Sequence, residues 1–285
     1  MRVMTEHIMV GVDGSAPATA AVEWAAADAR RRGRSLRLVH VCERWPPSLG
    51  EAQSRYCADV LEAAAERARE VTPDVEVTTE SRSGNVVEQL ITGSASADSA
   101  VLGSRGRGGF AGMLLGSVGA AVAGHATGPV VIVRGPAEDR YGRIVVGYDG
   151  SECSQAAMEY AIEQARARQA HVRVVYAWQV PMSAPYASAY SKVLESTFEQ
   201  QQRTAREAVI PWRDKNPDIE LTDEQVSEHP VSALMNASAS ADLVVVGSRG
   251  MGGFASAVLG SVSRGVLHHV TCPVAVVRPR GERTS

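Results

Sequence analysis

Residues 100–118 read A-V-L-G-S-R-G-R-G-G-F-A-G-M-L-L-G-S-V, and residues 244–262 read V-V-V-G-S-R-G-M-G-G-F-A-S-A-V-L-G-S-V. Thirteen of these 19 aligned positions are identical. Each copy carries glycine, two residues, glycine, nine residues, then Gly-Ser. These are Gly103, Gly106, Gly116 and Ser117 in the first copy, and Gly247, Gly250, Gly260 and Ser261 in the second. An apolar run precedes each (99–102 and 243–246) and has the length of a short buried strand. The glycines that follow are expected to take positive φ and to let the backbone approach a ligand closely. Gly116-Ser117 and Gly260-Ser261 then open Ala/Val-rich segments with helical character. Free N–H groups at a helix start favour phosphate, and a serine hydroxyl adds a donor. A flexible loop between strand and helix is the alternative that the residues alone leave open.

Outward from this stretch, the chain alternates strands and helices. His7 to Asp13 is an apolar run ending in an acid. Ser15 caps a helix with Pro17 in its first turn, and Gly33 stops that helix after Arg32. A strand at 36–42, a helix at 51–70, a strand at 75–80 and a helix at 85–97 come next. The glycine stretch, a helix at 117–126 and an apolar strand at 129–134 close the unit. The last strand reads as buried on both faces. Alternation of this kind implies a parallel sheet with helices on both sides.

The programme then restarts. I-V-V-G-Y-D-G-S at 144–151 matches I-M-V-G-V-D-G-S at 8–15, and P-V-A-V-V-R at 273–278 matches P-V-V-I-V-R at 129–134. The offset is 136 residues at the first strand and 144 at the glycine stretch, so the second half carries an eight-residue insertion within 179–217. The chain is a tandem duplication of one α/β domain, residues 1–137 and 138–285. Its period is far too long for a solenoid.

Bulk properties narrow the function. The 285 residues are 45% apolar and 21% charged with net charge −3, which suits a soluble globular protein and offers no nucleic-acid surface. Cys42, Cys57, Cys153 and Cys272 have no paired spacing and read as free thiols of a reducing compartment. No signal peptide or membrane span is visible, so the cytoplasm is expected.

With these residues in place, each half resembles the ATP-binding branch of the universal stress protein domain. The resemblance rests on V-G-x-D-G-S at the first strand, the Gly-x2-Gly-x9-Gly-Ser spacing, and a closing G-P-V or C-P-V strand. It covers about residues 6–134 and 141–278. It implies two tandem Rossmann-like domains, of the adenine nucleotide alpha hydrolase-like kind. Each would be a five-stranded parallel sheet of order 3-2-1-4-5. Strands 1 and 4 then leave in opposite directions, and ligands of such sheets bind at that reversal. The resemblance further implies a nucleotide-dependent regulatory module of the stress response or growth arrest, with ATP as the ligand of each half.

Carried over by position, Gly11, Val12 and Asp13, with Gly147, Tyr148 and Asp149, line the base or ribose side. Val41 and Ala177 pack against adenine. Gly103, Ser104, Arg105, Gly106, Gly108 and Gly109 form the loop along ribose and phosphates in the first half. Gly247, Ser248, Arg249, Gly250, Gly252 and Gly253 do so in the second. Gly116, Ser117 and Val118, with Gly260, Ser261 and Val262, bind phosphate. Asp13 and Asp149 either help hold magnesium or cap the turn that follows them. Similar proteins pair through the closing strand, which implies pairing of the two halves and a homodimer through those strands.

Other signals are set aside. G-x-G-x-x-A at 106–111 and 250–255 follows the fourth strand and lacks an acid about 20 residues on, so it does not specify a dinucleotide. No P-loop lysine and no G-x-S-x-G elbow occur. The seven histidines show no metal spacing. A binding module is favoured over a slow ATPase or phosphotransfer enzyme, since no residue stands out to orient a nucleophile. An adaptor with empty pockets is the remaining alternative.

Overall fold

A computed structural model describes residues 7–42, 50–108, 115–135, 141–178, 191–251 and 258–280, with the side chains of 191–199 outside that description. The first half runs β1 (His7–Gly11), α1 (Ala16–Arg32), β2 (Ser35–Cys42), α2 (Gly50–Val71), β3 (Val77–Ser83), α3 (Val86–Ser94), β4 (Ser99–Gly103), α4 (Ser117–His125) and β5 (Gly128–Val133). The second runs β6 (Arg143–Gly147), α5 (Glu152–Arg168), β7 (His171–Ala177), α6 (Ser191–Lys215), β8 (Leu221–Val226), α7 (Pro230–Ser238), β9 (Leu243–Gly247), α8 (Ser261–His269) and β10 (Val274–Arg278). The expected boundary at 137/138 lies outside the described residues.

The local signals explain the element ends. Ser15 Oγ accepts from Ala18 N at 3.3 Å, and Gly33 (φ 59°) closes α1 with its N–H on the carbonyls of Ala29 and Arg30. Asn85 caps α3 by accepting from Glu88 N at 3.1 Å. The third strand starts two residues later than its alternation suggested, because Val75 N donates back to Thr72 O in a turn. Of the eight inserted residues, three lengthen the helix, since α6 has 25 residues and α2 has 22. The other five fall in the connection before it, outside the described residues.

Strand residues alternate between two hydrophobic clusters, as the pleat requires. Ile8 and Val10 face the cluster under α1 and α2, and Met9 faces the one under α3 and α4. Ile144 and Val146, against Val145, repeat this in the second half. Each half has the strand order 3-2-1-4-5, all parallel.

The two sheets are one. β5 and β10 pair antiparallel, with Val276 opposite Val130, giving a ten-stranded sheet of order β3-β2-β1-β4-β5-β10-β9-β6-β7-β8. Both edges of each closing strand are therefore occupied inside the chain. The homodimer expected through those strands finds no free edge there. The edges of the whole sheet are β3 and β8, which carry Glu80 and Arg82, and Asp223 and Glu224.

Side chains secure this junction reciprocally. Arg134, just after β5, donates to the Leu267 and Val270 carbonyls at the end of α8. Arg278 donates to the carbonyls of Gly124 in α4 and Val258. A guanidinium at a helix C-terminus satisfies orphan carbonyls and suits the helix dipole. On the other face, α1 and α5 meet over Asp28, which is fully buried. Gln164 Nε2 donates to it at 3.1 Å, and Arg32 and Arg168 reach it at 3.4 and 3.2 Å. Arg168 also stacks on Trp24, and Arg32 on Tyr160. Burial works against the Arg32 charge, yet Tyr160, Asp28, Glu163 and Asp98 together hold its pKa above the usual range.

One expectation about cysteine is overturned. Cys42 and Cys57 are bonded as a disulfide, with Cα atoms 6.2 Å apart. The end of β2 lies directly under α2, a tertiary contact that a separation of 15 residues does not announce. Cys153 and Cys272 are free. Among the described residues no helix is long and apolar enough to cross a membrane.

Candidate nucleotide crevice

The parallel order puts the ends of β1 and β4 side by side, and a carboxylate ties their loops together. Asp13 Oδ1 accepts from Ser15 N at 3.0 Å, and Oδ2 accepts from Arg107 N at 3.1 Å. In the second half Asp149 Oδ1 accepts from Ser151 N at 3.0 Å and Ser151 Oγ at 2.6 Å, and Oδ2 accepts from Met251 N at 3.0 Å. Of the two roles left open for these acids, the geometry supports turn capping, extended to a clamp on the glycine loop. Each of these acids is a single carboxylate whose two oxygens already accept backbone N–H groups, so a magnesium ion there would rest chiefly on phosphate oxygens.

The glycines work differently from the expectation of positive φ. Gly103, Gly106, Gly116, Gly247, Gly250 and Gly260 are all absent from the left-handed region, which holds Gly14 and Gly150 instead. Close protein contact is what requires most of them. A Cβ on Gly103 would lie 2.6 Å from the Pro17 backbone, and one on Gly247 2.7 Å from that of Cys153. A Cβ on Gly106 would lie 2.6 Å from Asp13 Oδ2, and Gly250 faces Asp149 likewise. So the loop glycines seat β4 on α1 and β9 on α5, and seat the loop on its acid.

Gly116 and Gly260 are the N-caps of α4 and α8. Their φ/ψ are −76°/157° and −65°/158°, and neither helix start has a side-chain cap. Gly116 N donates to Ser104 O at 2.7 Å, and Gly260 N to Ser248 O at 2.8 Å. Ser104 N and Ser248 N in turn donate to the Val133 and Val277 carbonyls. Each helix start is thereby hung from the sheet, and the N–H groups of its first turn have no intrahelical partner. Ser117 and Ser261 are exposed there, and Val118 and Val262 are half-buried.

The remaining predicted residues divide. Val12, Val41 and Tyr148 are buried, and Ala177 is half-buried. Val12 N and Tyr148 N donate to the Val39 and Val175 carbonyls. Ser104 and Ser248 are buried and serve through their backbone, and Ser248 Oγ lies 3.6 Å from Cys153 Sγ. Gly11 and Gly147 are half-buried, while Arg105 and Gly108 are exposed. Arg249 is half-buried. Gly109, Gly252 and Gly253 lie outside the described residues.

Sequence reasoning missed three residues around the first crevice and one around the second. His40 Nδ1 lies 2.7 Å from the Val12 carbonyl. Tyr56 OH reaches the Asp13 carbonyl at 3.5 Å, and Arg107 both donates to that hydroxyl and stacks on its ring. Ser263 is the fourth, in the second half, donating to Gly247 O at 2.6 Å, where the first half has Gly119. Only Arg107 lies inside the duplicated stretch, at a position where the copies differ (Met251), and nothing in the sequence marked the others. Near Asp149, burial and then the acid's charge push the Tyr176 hydroxyl pKa up.

Comparison with known proteins agrees with this geometry. The model of the universal stress protein family matches residues 4–134 and again 140–278. A universal stress protein of Mycolicibacterium smegmatis is 35% identical, covering 97% of this chain and 98% of its own length. One from Mycobacterium tuberculosis is 34% identical over 95% of this chain and 94% of its own. The crystal structure of a universal stress protein from Archaeoglobus fulgidus shares the fold with a TM-score of 0.69 at 21% identity, covering 98% of this chain and 97% of that one. With one domain in each half, the chain belongs to the universal stress protein family.

Proposed function

We propose that each half binds ATP in the crevice between its first and fourth strands, and that occupancy sets the state of a regulatory module. The observation that carries this is the pair of uncapped helix starts at Gly116 and Gly260, each hung from the preceding loop by one backbone hydrogen bond. Such a helix start stabilises a phosphate through its N–H groups and its dipole. Ser117 and Ser261 add a hydroxyl beside it. Val12, Val41, Tyr148 and Ala177 supply the apolar side for a base. The family resemblance selects an adenine nucleotide among phosphate ligands.

The reading stops at binding. Phosphoryl transfer requires a residue that orients the nucleophile. Asp13 and Asp149, the acids nearest the loops, are engaged with backbone N–H groups. The test is to purify the protein, denature it and identify the released small molecule by chromatography. ATP in the supernatant supports the module. ADP together with measurable turnover replaces it with an enzyme. No nucleotide, and no binding on addition, leaves an adaptor and overturns the proposal.

A further inference from the structure

The first half contains a cluster that the nucleotide reading does not use. His40, Cys42 and Cys57 are 6%, 7% and 4% exposed, and their ligand atoms all lie within 4.8 Å of one another. Among the described residues it is the one group of three histidine, cysteine or acidic side chains so close together. We propose that, once the Cys42–Cys57 bond is reduced, these three side chains bind a divalent cation of the zinc class.

The chemistry of the donors argues for it. Two thiolates balance a dication, and two sulfurs with one imidazole are a zinc donor set. Metal–sulfur bonds of about 2.3 Å and metal–nitrogen bonds of about 2.0 Å put tetrahedral ligand atoms under about 4 Å apart, so on reduction the two sulfurs separate from bonding distance while the imidazole, already within 4.8 Å, draws closer. The second shell is built. His40 Nδ1 lies 2.7 Å from the Val12 carbonyl, which fixes the proton on Nδ1 and leaves the Nε2 lone pair for a metal. Ser81 Oγ lies 3.2 Å from Cys42 Sγ and donates to it as a thiolate. A cavity of about 570 Å³ lined by Cys42, Ser54, Cys57, Thr79 and Ser81 gives water access to the fourth position.

Loading has two steps. A dithiol reductant transfers two electrons and two protons to the Cys42–Cys57 bond, yielding two thiols and the oxidised, cyclic reductant. The cation then forms two metal–sulfur bonds and releases both thiol protons to solvent. The second half has Tyr176, Trp178 and Gln201 at the corresponding positions, so one ion per chain is expected. The other thiols compete poorly. Burial pushes the Cys272 pKa up to about 12, and Cys153 is buried elsewhere.

The test is independent of nucleotide. The full chain is reduced with a phosphine, desalted without oxygen, counted for four free thiols in denaturant, and titrated with Co²⁺. Sulfur-to-cobalt charge-transfer absorption should saturate at one cobalt per chain, bleach with one equivalent of Zn²⁺, and be absent from the oxidised protein. Cys57→Ser should abolish the band. His40→Gln should keep the band but weaken cobalt binding at least about tenfold. Circular dichroism checks that each variant is folded; should Cys57→Ser fail to fold, the wild-type and His40→Gln titrations still decide. No band from folded, fully reduced wild type would overturn the proposal, as would a band that persists in Cys42→Ser/Cys57→Ser.

Discussion

The helix after the first strand ends on Gly33 in one half and on Gln169 in the other, and both residues are left-handed, at φ 59° and 53°. The same helices meet at the centre of the molecule with Asp28 on one side and Gln164, its positional equivalent, on the other. At the crevices the halves instead keep the same bonds. Asp13 and Asp149 clamp the same loop, and Ser104 and Ser248 hold the same helix start. The contrast separates two constraints. At the crevices, which each copy builds alone, the geometry is retained. Where the copies face each other, they diverge, because two acids about 3 Å apart in a dry interface repel and one acid between two arginines does not.

That comparison breaks most visibly at Asp28. Arg32 and Arg168 side chains are each 3% exposed around it. Asp28→Ala removes the fully buried acid that two buried arginines share and should cost about 3–5 kcal/mol, read from the urea midpoint. A loss below about 1 kcal/mol would mean that the junction is held by β5–β10 pairing with the Arg134 and Arg278 contacts, and not by the α1–α5 cluster.

The second prediction concerns a retained feature. Gly103→Ala and Gly247→Ala each place a methyl against helix backbone, which cannot move aside as a side chain can. Each should destabilise by about 1–3 kcal/mol. Equal losses would sharpen the likeness of the halves. Neutral behaviour would show that the β4–α1 and β9–α5 contacts are looser than described.

The smallest effect should be a gain. Gln169→Gly removes the penalty of a left-handed side chain, and thermal unfolding should show about 1 kcal/mol of added stability. Gly33→Gln should give the reverse.

Much of this architecture was legible because its signals are local. Ser15 and Gly33 bracket α1 within one segment, and the repeat at 100–118 and 244–262 locates both crevices. What was hidden depends on contacts across the chain. The link from Asp13 to Arg107 spans 94 residues, and the Cys42–Cys57 bond needs α2 packed on β2. The glycines show a subtler gap. Their spacing marked tightly placed backbone for a different reason than expected, since a sequence does not tell left-handed backbone from crowding by a neighbouring helix. The pairing of the two halves through β5 and β10 was expected from the resemblance and is met; it leaves the closing strands in the middle of the molecule, where a homodimer cannot use them.

The central claim is that the helix starts at Gly116 and Gly260 hold the phosphates of ATP. Ser117 and Ser261 are the first helical residues, where proline preserves a helix but lacks an N–H. Calorimetric titration with ATP should find two sites in the wild-type chain. Ser117→Pro/Ser261→Pro should weaken both at least about tenfold, the loss of a hydrogen bond to a charged group, with the fold intact. ATP binding by the double variant as tight as by wild type, or no binding by the wild-type chain, would contradict the account.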